Sequence, residues 1–216
     1  MADYRVYSFS YNNPERAAAM ERRFATVGVP LHWVRAIGPD DPLIDKTDPS
    51  PRTSALMFGH IGMIREFLTH SDAKYGIFCE DDIFIRKDFK QSVVRAIELY
   101  EMQKLDVFLL GYLINYVPYH TPCLGFNVLE YDDNLWGAQM YMLDRSAAQK
   151  ILDAFGDRLR VSVPYNPDWT ITKFGKRAMI YPMIGVESGT VNTTHAGQIN
   201  YHRACFELNY DPELHI

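Results

Sequence analysis

The chain has 216 residues, 47% of them apolar, and a formal net charge of −5 from 22 basic and 27 acidic side chains. That length buries one full core, and scattered basic residues on a net-negative chain exclude a nucleic-acid or anionic-membrane surface, which needs a basic patch. Any phosphate bound here needs a bridging cation. Cys79, Cys123 and Cys205 lack metal-ligand spacing and are odd in number, so reduced thiols are expected. No apolar run approaches the roughly 20 residues needed to span a bilayer, and the N-terminal Met1-Ala2-Asp3-Tyr4-Arg5-Val6 has no apolar signal core; a cytoplasmic location is expected.

Strands and helices alternate along the chain. Arg5 to Ser10 reads as a first strand. Asn13-Pro14-Glu15 starts a helix, with a capping amide, proline at the first helical position and an acid in the first turn. That helix is expected to reach Val27, with Gly28 as its left-handed stop and Leu31 to Ile37 as the next strand. The span 38–52, with four prolines and little periodicity, predicts a long surface loop. After Thr53-Ser54, Met57, Ile61, Ile64 and Phe67 or Leu68 recur at helical spacing.

Next comes Tyr75-Gly76-Ile77-Phe78-Cys79-Glu80-Asp81-Asp82-Ile83, an apolar strand that ends in three consecutive carboxylates. Adjacent acids repel one another and gain nothing from burial. Their place at the mouth of a sheet is best explained by a divalent cation that offsets the repulsion.

The second half predicts an amphipathic helix over Asp88 to Leu99, a short strand over Val107 to Leu110, and a loop-rich cleft wall from Tyr112 to Asn134 carrying four tyrosines. Ala138 to Leu143 reads as a strand, Asp144-Arg145-Ser146 opens a helix to Phe155, and Met179 to Ile184 reads as a further strand. Beyond Val186 the chain is polar, with His195, His202 and His215, and is expected to wrap over the sheet without regular structure.

Glu80-Asp81-Asp82 behind an apolar strand resembles the acidic motif of glycosyltransferase family 25, the lipooligosaccharide and collagen galactosyltransferases. Other segments are similar in the same order: Arg16 in Asn12-Asn13-Pro14-Glu15-Arg16, Ala36, His60 in Phe58-Gly59-His60, Trp136-Gly137-Ala138-Gln139-Met140-Tyr141 before Arg145-Ser146-Ala147, and Asp168-Trp169. The resemblance spans most of residues 4 to 190. It implies a single α/β domain of the GT-A type, with a central mixed, mostly parallel sheet flanked by helices. Residues 1 to about 110 would form the Rossmann-like nucleotide-sugar half and residues 111–216 the acceptor half.

The same resemblance implies Mn²⁺ or Mg²⁺ and a UDP-sugar, with galactose or glucose moved by inversion to a glycan or other hydroxyl acceptor. Asp82 would be the primary metal ligand, with Glu80 an outer ligand or ribose contact and Asp81 a sugar contact. His195 would complete the metal shell, with His202 as the other candidate. Arg16 and His60 would serve the nucleotide. Where the family has Asn-Leu-Asp, this chain has Phe9-Ser10-Tyr11, which leaves Ser8 and Ser10 as the polar candidates. Asp168 would be the base that takes the acceptor proton, and Trp136 and Trp169 would stack on sugars. The alternative is a non-catalytic carbohydrate- or nucleotide-binding domain that keeps the acids for a structural cation.

Overall fold

The computed structural model describes residues 3–48, 50–118, 125–191 and 193–216. Its centre is a seven-stranded sheet in the order β2-β1-β3-β7-β5-β8-β6. The strands are β1 (Tyr4–Phe9), β2 (Leu31–Val34), β3 (Tyr75–Cys79), β5 (Val107–Leu113), β6 (Asn127–Leu129), β7 (Trp136–Asp144) and β8 (Arg177–Tyr181); β4 (Ile83–Ile85) lies outside this sheet. Parallel pairing joins β1 to β2, β1 to β3 and β5 to β8, whereas β7 and β6 run antiparallel to their neighbours. Five strands therefore run one way and two the other, a mostly parallel sheet. Strand β7, from the expected acceptor half, lies between β3 and β5 of the expected nucleotide half.

Both faces of this sheet are buried, and alternation along the strands sorts the side chains. Tyr7, Phe78, Tyr141 and Leu143 face one cluster, built with α2 (Pro51–His70) and α4 (Arg145–Phe155). Val6, Ile77, Met140 and Met142 face the other, built with α1 (Pro14–Thr26) and α3 (Phe89–Gln103). Strands buried on both sides read as continuous apolar runs, and Tyr75–Cys79 is buried throughout.

The capping expectations hold locally. The Asn13 side chain accepts from the Arg16 amide with Pro14 at the start of α1, and the Asp144 side chain accepts from the Ala147 amide at the start of α4. Gly28 has φ +63° just beyond α1.

Several boundaries and one element differ from the sequence reading. Strand β2 stops at Val34, three residues before Ile37, and β5 continues through Leu113 into the expected loop, which also holds β6. Strand β8 covers Arg177–Tyr181, because Pro182 cannot donate to a ladder. The polar tail is regular: β9 (Gly185–Glu187) pairs antiparallel with β4, and α5 (Ala196–Asn209) follows. Of the α5 side chains only Cys205 is buried, so the helix has no apolar stripe to announce it.

Strand β9 reaches its place because two glycines let backbones meet. A Cβ on Gly111 would lie 2.5 Å from the Gly185 carbonyl oxygen, and one on Gly185 would lie 2.7 Å from the Ile83 side chain. The Ile184 amide donates to the Leu110 carbonyl at 2.8 Å, and Arg23 of α1 donates to the Ile83 carbonyl at 3.1 Å. Cys79 and Cys205 are free, buried thiols; Cys123 lies outside the described residues. No described helix is long and apolar enough to cross a membrane.

Candidate active site

The carboxylates sit where an α/β sheet presents ligands, beyond the carboxyl ends of parallel strands. Glu80, Asp81 and Asp82 follow β3, and Ser10 follows the neighbouring β1. Strand β7 enters from the opposite direction, so its first residues, Trp136 to Gln139, lie beside the triplet; the Glu80 amide donates to the Gln139 carbonyl at 3.0 Å. Asp82 is 6% exposed, and its Oδ1 is buried without a hydrogen-bond partner.

Arg16 supplies the countercharge to two of the acids. Its Nη1 lies 3.0 Å from Asp82 Oδ2 and 3.3 Å from Asp81 Oδ1, and its Nη2 donates to the Thr190 carbonyl at 3.1 Å. The Ser10 hydroxyl donates to Asp81 Oδ2. Ser8 is fully buried and its hydroxyl is without a hydrogen-bond partner. Ser8 lies within β1 opposite Cys79, whereas Ser10 lies just past the strand end, and it is Ser10 that reaches the acids.

A fourth acid, not singled out from sequence, joins the cluster. Glu187 ends β9, opposite Ile83 in the β4 ladder, and is 7% exposed; the Ser188 amide donates to the Asp82 carbonyl at 3.0 Å. His202 of α5 lies with Nδ1 3.1 Å from Glu187 Oε2. That hydrogen bond, reinforced by the charges of Glu187, Glu80 and Asp82, raises the imidazole pKa against the effect of burial. His202 is therefore the chain-end histidine at the cluster. His195 is exposed at the N-terminal end of α5, with no ion pair or hydrogen bond from its ring to the acids among the described residues. Neighbouring Asn192 lies outside the described residues.

Crowding perturbs the acids strongly. Burial first, then repulsion from Asp168, Glu187 and Asp81, pushes the Glu80 carboxyl up to about 8, with Arg16 opposing. Burial and the charges of Glu80 and Glu187 raise Asp82 in the same direction. His60 is fully buried on α2, and desolvation lowers it to about 4, so it is neutral at pH 7. Its Nδ1 lies 3.1 Å from the Tyr141 hydroxyl and its Nε2 3.7 Å from Glu80 Oε1.

Asp168 comes from a short 3₁₀ turn, Pro167–Trp169, capped by the Asn166 side chain at 2.7 Å from the Asp168 amide. Its Oδ1 accepts from the Gly137 amide at 2.9 Å. Gly137 has φ +109°, and a Cβ there would lie 2.0 Å from Gln139 Oε1 and 2.9 Å from the Leu113 amide nitrogen, so glycine is required. Burial raises the Asp168 pKa, and the Gly137 amide, His60 and Lys173 oppose it. Trp136 and Trp169 are 43% and 42% exposed and meet edge to face with ring centroids 5.3 Å apart. Both rings face solvent on either side of the Gly137–Asp168 contact.

The donor set suits a hard divalent cation: carboxylate oxygens in excess over positive charge, one of them buried and unpartnered. Among the described residues, no three His, Cys, Asp or Glu side chains are gathered as a ready metal cage.

No family model and no curated protein matches the sequence. The fold does match solved structures. The chain is similar to a glycosyltransferase involved in the glycosylation of the major capsid of PBCV-1, with TM-score 0.53 and 9% identity over 93% of this chain and 98% of that one. TarS of S. aureus aligns over 87% of this chain and 60% of its own, with TM-score 0.45 and 12% identity. The chain therefore carries a glycosyltransferase fold.

Proposed function

We propose that this chain is a metal-dependent, inverting glycosyltransferase of the family 25 type, moving galactose or glucose from a UDP-sugar to a glycan or other hydroxyl acceptor. The observation that carries the proposal is the buried Asp82 Oδ1, unpartnered among Glu80, Asp81 and Glu187 beyond the ends of β3 and β9. A phosphate would be repelled there, whereas a cation with its nucleoside diphosphate would relieve the crowding. Asp82 and Glu80 would hold Mn²⁺ or Mg²⁺, which would supply Lewis-acid stabilisation of the leaving diphosphate.

The remaining roles belong to the chain. His202 holds Glu187 against the cluster, and Arg16 pairs with Asp81 and Asp82 while facing the position a diphosphate would take. Asp168, raised by burial and oriented by the Gly137 amide, takes the acceptor hydroxyl proton. The Trp136 and Trp169 rings hold the sugar face.

The test is UDP release from UDP-hexose with water or a mixed glycan panel as acceptor. Asp168→Asn is expected to bind donor normally and to turn over about 10²-fold or more slower; wild-type turnover would remove Asp168 as base.

The Arg16 ion pairs favour a second reading, a non-catalytic nucleotide- or carbohydrate-binding domain in which this guanidinium already counters part of the acidic charge. Nucleotide binding without UDP release under any of these conditions identifies it.

A further inference from the structure

A recess lies against the ends of β5 and β7, next to Trp136. It has a volume of about 560 Å³ and is walled by Tyr116, Glu130, Tyr131, Asp132, Asn134 and Tyr201 over an apolar floor that includes Leu113 and Leu135. We infer that this cleft is the acceptor subsite and that it takes a neutral saccharide rather than a phosphorylated, sulfated or otherwise anionic one. The inference rests on the transferase reading above and adds the acceptor's chemical class.

Three observations carry it. The cleft adjoins the groups that would react: Leu135 immediately precedes Trp136-Gly137, whose backbone holds Asp168, and Leu113 pairs with Trp136. On the opposite wall Tyr201 precedes His202, and its hydroxyl donates to the Leu113 carbonyl at 3.1 Å. An acceptor seated here therefore ends beside the proposed base.

The lining also has the composition of a sugar site, with aromatic faces for stacking and carboxylate and amide groups for hydroxyls. Tyr116 is 57% exposed at the rim. Asp132 holds Asn134 through both its oxygens, to the backbone amide at 2.8 Å and to Nδ2 at 3.2 Å, which fixes that edge.

The third observation is charge. Among the described residues no Lys or Arg lines the cleft, while Glu130 and Asp132 do. Lys173 and Arg177 lie 5.6 and 5.3 Å from the Tyr131 ring without lining the cleft; Lys173 donates to the Leu135 carbonyl, Arg177 pairs with Asp133, and both charges act on Asp132, which leaves Glu130 as the uncompensated acid of the lining. An anionic acceptor meets repulsion here, and a neutral one does not.

The test is saturation-transfer NMR on the full chain with neutral trisaccharides and with their phosphorylated counterparts, alongside UDP binding on the same preparations as a fold control. Wild type is expected to bind at least one neutral trisaccharide and none of the phosphorylated ones. Tyr116→Ala and Glu130→Lys, both at exposed positions, are expected to weaken that binding at least tenfold while retaining nucleotide affinity. Unchanged neutral-sugar affinity in both variants, equal binding of phosphorylated sugars by wild type, or no binding of any neutral trisaccharide overturns the inference. Saccharide binding without UDP binding would instead overturn the transferase reading and leave the cleft standing.

Discussion

The Arg16 guanidinium lies 3.0 Å from Asp82 Oδ2, and α1 holds it there because Asn13 caps the helix through the Arg16 amide. A first-turn arginine thus serves as internal countercharge to an acid 66 positions away. Asp82 has a second oxygen, buried and unpartnered, so one arginine does not satisfy it.

Arg16→Ala removes that countercharge and is expected to cost about 1–2 kcal/mol, between exposed and buried ion pairs because Arg16 is 34% exposed. Thermal melting should show the loss, and Mn²⁺ should restore most of it. A loss indifferent to Mn²⁺ would mean the arginine is the cluster's final counterion.

Gly137→Ala places a methyl group against the Leu113 amide nitrogen and the Gln139 side chain at a φ that L residues rarely adopt. Because the Gly137 amide orients Asp168, turnover is expected to fall by about 10²-fold for a small displacement of the base, with donor affinity kept. Steady-state kinetics separate the two effects.

The metal-free protein is expected to lose stability as pH rises from 6.5 to 8. Glu80, raised from 4.5 to about 8, is protonated in the fold but not in the unfolded chain across this window, so folding takes up a proton whose benefit fades as pH rises. His202, raised above 6.5 by Glu187, acts in the same direction. His60, lowered to about 4, acts oppositely: its stability is lost as pH falls from 6.5 towards 4, outside this window. Melting temperatures of wild type and Glu80→Gln check this, since the variant should show a shallower decline. Equal slopes would contradict the shifted Glu80.

What the sequence revealed follows the strength of local patterns. Strand β3, buried on both faces, reads as an unbroken apolar run into its acids, and helix α1 declares its start through Asn13-Pro14. Helix α5 is hidden because its residues are mostly polar and only Cys205 is buried. Strands β4 and β9, three residues each, exist through pairing across about 100 residues, so Glu187 carried no local signal of its role. The choice between His195 and His202 depends on where α5 docks, and that depends on the close approach of Gly111 and Gly185 that seats β9. Ser8 and Ser10 are two residues apart and share a strand face, so alternation does not separate them; the end of β1 at Phe9 does, leaving Ser8 in the core and Ser10 at the acids.

The central claim is that Asp82 recruits a divalent cation for a nucleoside diphosphate. The most direct measurement is calorimetric titration of UDP into wild type and Asp82→Ala, with and without Mn²⁺. Mn²⁺-dependent binding by wild type, and its loss in a variant that still melts cooperatively, is the result expected. UDP affinity that is unchanged by Asp82→Ala would contradict the account.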